Sequence, residues 1–143
     1  INKASGQNVR TFVAGEWTLD YDLAHSGLTQ AAWHAAVLAL ADENIQVGKV
    51  TKEDAIGARE AEFLALAALE LEAKASHVYA LFETEGASKA IGAQYLSELL
   101  EHAVESGGMG VDELRSKLPS YVLDAIAYVT APIPVTAAPE EQG

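Results

Sequence analysis

Two spacings in this chain bring ionisable side chains within reach of each other. Asp20 and Asp22 stand two apart ahead of a predicted helix, and Glu98 and His102 stand four apart on one helix face. Carboxylate oxygens suit hard divalent cations, and an acid and an imidazole one turn apart can hold a metal. Each spacing also has a plainer reading. Acids favour the first turn of a helix, where the dipole end is positive, and partners four apart are ordinary surface neighbours. Lys89 opens another predicted helix, an end at which a lysine is mildly unfavourable. His25, His34 and His77 are scattered and form no ligand pattern. The absence of cysteine excludes a disulfide framework, a thiolate metal site and a cysteine nucleophile.

These residues must be positioned by elements that are mostly helical. Residues 8–14 alternate, with β-branched and aromatic members, and predict one short strand ended by Gly15-Glu16. Ser26 or Thr29 can cap a helix to about Asp42, with Leu28, Ala32, Trp33, Ala36, Val37 and Leu40 at helical spacing. Residues 44–50 read as a loop. Thr51 with Asp54 resembles a capping box and opens a long predicted helix from Lys52 to Glu83, stopped by Gly86. The stretch from Phe63 to Leu71 is apolar apart from Glu70, so it packs on most sides or against something outside the chain. Ser88 caps a helix to about Glu105. After the Gly107–Gly110 break come a short helix, Asp112 to Leu118, and a last one opened by Pro119 and running to about Val129. Residues 131–143 hold three of the four prolines and read as an extended tail.

Composition narrows the function classes. Half of the 143 residues are apolar, enough for one domain with a core, and the predominance of Ala and Leu over aromatics favours helix. The formal net charge of −12 repels a phosphate backbone on average. DNA chemistry is compatible with it only if a metal bridges acids to phosphate or if other protein holds the duplex. Arg10, Arg59 and Arg115 are too dispersed to form a nucleic-acid patch. No uncharged apolar run reaches membrane-spanning length, and polar residues interrupt any signal-like apolar core near Ile1. The expected setting is cytoplasmic.

Two segments carry a family resemblance when read together. The first is Val9-Arg-Thr-Phe-Val-Ala-Gly-Glu-Trp-Thr-Leu-Asp-Tyr-Asp-Leu-Ala24. The second is Ser88-Lys-Ala-Ile-Gly-Ala-Gln-Tyr-Leu-Ser-Glu-Leu-Leu-Glu101, continued by Leu118-Pro-Ser-Tyr-Val-Leu-Asp-Ala-Ile-Ala-Tyr-Val-Thr130. In order and kind they resemble the C-terminal part of the Toprim domain in OLD-family ATP-dependent DNA endonucleases. The resemblance implies an α/β fold class, with one or two strands and four to five helices over residues 1–130 completing a sheet that lies upstream. It implies phosphodiester hydrolysis with Mg²⁺ or Mn²⁺, Asp20 as a metal ligand and Lys89 as the catalytic cation beside the scissile phosphate. It also implies DNA and a homo-oligomer as partners, with ATP acting only through a preceding ATPase domain. Asp20 stands where the family usually has Glu. The family's upstream acids and its G-x-x-x-x-G-K-[S/T] loop have no counterpart here, so the chain alone is expected to be inactive. The alternative is a non-catalytic, acidic helical interaction domain. The two classes make different geometric demands, because only the nuclease reading requires Asp20 and Lys89 to meet in space, at one end of a strand.

Overall fold

The computed structural model describes residues 9–14 and 18–132. Among them the regular elements are helices: α1 (Leu19–Leu23), a π-helical turn (Ala24–Leu28), α2 (Thr29–Gln46), α3 (Lys52–Gly57), α4 (Glu60–Ala67), α5 (Leu71–Glu83), α6 (Lys89–Glu105), α7 (Val111–Ser116) and α8 (Ser120–Thr130).

Helix α2 is the axis of the fold. Ala32, Trp33, Ala35, Ala36, Val37, Leu38 and Ala39 are all buried, so apolar residues occupy every side of its middle turns. A helix apolar all round must be surrounded. On one side Trp33 and Val37 meet Leu66 of α4 and Ala75, Val78 and Leu81 of α5. On another, Ala35 and Leu38 meet Ala55 of α3 and Tyr95 of α6. The alanines let neighbouring backbones approach, while Leu38, Leu81 and Val78 fill the volume between them.

Local sequence sets several of the helix starts. The Thr51 hydroxyl accepts from the Asp54 amide at 3.1 Å, and that of Ser88 from the Ile91 amide at 3.3 Å. Each satisfies an amide that the first turn leaves without a partner. Gly86, at φ +81°, makes the reversal between α5 and α6.

The structure corrects the expected α/β fold class. Among the described residues there is no strand and no sheet. Residues 9–14, expected to form a strand, pair with no strand, and residue 8 lies outside the described residues. Alternation favours a strand only where another strand receives its hydrogen bonds, and none of the described residues supplies one. What the segment meets is helical, with the Phe12 ring 5.8 Å from that of Tyr128 on α8.

The single helix expected over residues 52–83 is instead three. A straight helix of that length would span about 48 Å against about 27 Å for α2, leaving nearly half of it beyond the core. Breaks after Gly57 and around Glu70 fold it back so that α3, α4 and α5 all reach α2. Arg59 fixes the first break. It forms ion pairs with Glu62 at 2.7 Å and Glu85 at 3.0 Å, and its guanidinium lies over the Trp33 ring. Of the two expected caps, Thr29 is the first residue of α2 and Ser26 lies inside the π-helical turn. Gly27 sits there at φ +124°, with the Lys117 side chain against it, and the Ser26 hydroxyl donates to the Lys117 carbonyl. Most of the tail, residues 133–143, lies outside the described residues.

Candidate functional site

Asp20 lies in the first turn of α1, capped by Thr18, and Lys89 is the first residue of α6, capped by Ser88. The turn at Gly86 brings the end of α5 beside both. The Lys89 Nζ is 2.8 Å from Glu83 Oε1 and 3.5 Å from Asp20 Oδ1. The two residues that the resemblance singles out thus meet in space, although between helix starts and not at the end of a strand.

Their environments differ. Lys89 is half exposed, at 52 %, whereas the Asp20 side chain is only 13 % exposed. Asp20 Oδ2 is out of contact with solvent and has no hydrogen-bond partner. Hydrogen bonding to Glu83, reinforced by the charge of Asp20, raises the Lys89 pKa above its ordinary value, so the ammonium is held charged. With two carboxylates and one ammonium, the cluster carries a net charge of about −1 at neutral pH.

Asp22, two residues on in α1, is buried. Its Oδ2 accepts from the Tyr121 hydroxyl at 3.0 Å, tying α1 to α8. Burial and this bond push the Tyr121 pKa upward. Asp22 is therefore a structural acceptor that joins α1 to α8.

Glu98 and His102 do not act as a pair. Glu98 forms an ion pair with Lys52 at 2.8 Å, holding α6 to α3. His25 stacks on Tyr21. His34 packs on Phe63 and is half-buried, which lowers its pKa. Among the described residues no group of three or more His, Cys, Asp or Glu can hold a metal ion. The donor set around Lys89 is two carboxylates, Asp20 and Glu83, with the ammonium between them. It can contribute oxygens to a Mg²⁺ or Mn²⁺ centre but cannot form the centre, because such ions take about six oxygens.

Beside Asp20 and Lys89 lies an apolar cavity of about 110 Å³ between α1, α2, α5 and α6. Phe82 closes part of it by packing on Gly92, where a Cβ would come within 2.8 Å of the ring. Sequence reasoning missed Glu83, Phe82 and Gly92. A signal for Glu83 was present, since an acid three residues before a helix-stopping glycine and a lysine three residues after it can be brought together by the reversal.

No family model, no curated protein and no solved structure matches this chain. No helix among the described residues is long and apolar enough to cross a membrane.

Proposed function

We propose that the chain is a helical portion of a metal-dependent DNA nuclease of OLD type, in which Lys89 faces the scissile phosphate and Asp20 orients it and adds one metal oxygen. The observation that carries this reading is the meeting of Asp20 and Lys89, which come from opposite halves of the chain and from the two segments on which the resemblance rests. An ammonium at a helix start offers positive charge to a phosphate as negative charge develops on it. A bound Mg²⁺ or Mn²⁺ would supply an activated water and further neutralisation. The remaining metal-holding acids would come from outside the described residues, as would the surface that holds DNA against a net charge of −12. ATP would act only through a separate ATPase domain.

The test is plasmid nicking in Mg²⁺ and in Mn²⁺ by the polypeptide of the full reading frame. Lys89→Ala is expected to slow nicking about 10²–10³-fold, the scale of losing one electrostatic stabiliser, while Lys52→Ala, which also removes an ion-paired lysine, leaves it within about twofold. The 143-residue chain alone is expected to be inactive. Nicking by Lys89→Ala at the wild-type rate, or no metal-dependent nicking by the full polypeptide, overturns the proposal.

A second reading, an acidic helical interaction module without catalysis, is favoured by α4. Its Leu64 is 63 % exposed, and Leu69 and Leu71 just beyond it are exposed too, an apolar surface rimmed by Glu60, Glu62, Glu70 and Glu72. Surfaces of this kind mark contacts with other protein, including further copies of the same chain. Under this reading Leu64→Lys abolishes association seen by sedimentation, whereas Lys89→Ala does not.

A further inference from the structure

Helix α6 carries two parallel rows. Leu96, Leu100 and Val104 recur every four residues, and so do Ser97, Glu101 and Glu105 one position further on. Residues four apart on a helix lie one above the other, so an apolar ridge runs beside a partly acidic one. Both rows line a surface groove of about 680 Å³, open to solvent, together with Leu23 of α1, Leu114 of α7 and Leu118 just beyond α7. The six large aliphatic side chains are only half-buried, and no residue of α7 is buried. The described residues thus leave this apolar groove uncovered.

Its charge says what kind of cover it takes. Glu101 and Glu105 stand at the C-terminal end of α6, where the dipole end is negative and an acid is unfavourable. Like charges four apart on a helix also repel. Neither acid forms an ion pair among the described residues. No lysine or arginine lines the groove, and His102, between the two acids in sequence, does not line it either. Lys117, next to Leu118, is paired with Glu113.

We propose that this groove docks a cationic amphipathic helix of another protein, with its apolar stripe on Leu96, Leu100 and Leu114 and its lysines or arginines against Glu101 and Glu105. The ridge from Leu96 to Val104 is about 12 Å long, and rows at this spacing receive a second helix by interlocking of side chains. The cations follow from the rim, since they relieve both the repulsion between the acids and their conflict with the helix dipole. A second copy of the chain would bring its own net charge of −12 against the same acids. The proposal needs neither metal nor DNA, and Leu64 does not line the groove.

The experiment is a titration of the isotope-labelled chain with a synthetic peptide of leucine and lysine, the leucines at helical spacing. A length of about 18 residues suffices for a helix. Methyl signals are followed by NMR in about 150 mM salt, which screens attraction beyond about 8 Å. The expected result is a saturable shift centred on Leu96, Leu100, Val104, Leu114 and Leu118. A peptide of the same composition in scrambled order, and one with glutamate in place of lysine, should each bind at least tenfold more weakly. Glu101→Lys/Glu105→Lys should weaken the first peptide at least tenfold. Ser97→Trp, which fills the groove from an exposed position without changing charge, should abolish binding while the remaining spectrum stays native. Leu64→Lys should leave binding within twofold, which separates this groove from the α4 surface. No saturable shift, shifts centred on α4, equal binding of either control peptide, or unchanged binding to Glu101→Lys/Glu105→Lys or Ser97→Trp overturns the proposal. So does self-association of the chain through these same methyl groups in the absence of peptide, which would assign the groove to a second copy.

Discussion

Tyr95 shows what one buried hydroxyl contributes. It donates to Asp42 Oδ1 at 2.6 Å across the contact between α6 and α2, and the residue is 5 % exposed. Tyr95→Phe removes the donor and leaves Asp42 without that bond, at a cost of about 1–2 kcal/mol, measurable by urea unfolding. Burial and the neighbouring carboxylate push the Tyr95 pKa from 10.0 to about 12. The folded chain therefore keeps a proton that the unfolded chain releases first. The stability this contributes is complete below pH 10 and is lost as pH rises from 10 to about 12. Tyr95→Phe should flatten that part of the stability profile, and an unchanged alkaline profile would refute the assignment. At this scale the sequence was informative where type and spacing sufficed. The capping roles of Thr51 and Ser88 were legible. The Asp22–Tyr121 and Tyr95–Asp42 bonds join residues far apart in the chain, so no local pattern could announce them.

The packing of α6 against α5 turns on one glycine. Gly92 is buried, and a Cβ there would lie 2.8 Å from Phe82 Cε1. Gly92→Ala gains helix propensity of about 1 kcal/mol but forces the ring aside, and overpacking of this kind costs about 1–3 kcal/mol. The expected balance is a net destabilisation, recovered in Gly92→Ala/Phe82→Leu, where the smaller side chain gives way. If thermal melts show Gly92→Ala to be the more stable form without the second change, the ring is not held where described. Element by element, legibility followed locality. Helix α6 was read to its boundaries because its cap and its amphipathic face both lie in its own sequence. The division of residues 52–83 was not, because Ala, Leu and Glu favour helix throughout and the breaks come from fitting three segments around α2. The strand expected near the N-terminus failed for the complementary reason, since alternation records a preference that only a partner strand can realise.

Over the whole molecule, charge is the dominant feature. With 21 acids against nine lysines and arginines, the folded chain repels itself, and salt screens that repulsion. Raising NaCl from about 10 to about 300 mM, where the screening length falls from roughly 30 Å to below 8 Å, should raise the melting temperature. A fall would mean that the ion pairs of Arg59, Lys52 and Lys89 outweigh the general repulsion. The same charge balance means that a nuclease role would need other protein to hold DNA. The central claim is that Asp20 and Lys89 act as one unit. It is tested most directly by a double-mutant cycle on metal-dependent nicking by the full polypeptide, using Asp20→Asn, Lys89→Met and the two combined. The account predicts that each single change costs nearly as much as both together, as for groups that act jointly. Losses that multiply independently, or a Lys89→Met enzyme as fast as wild type, would contradict it.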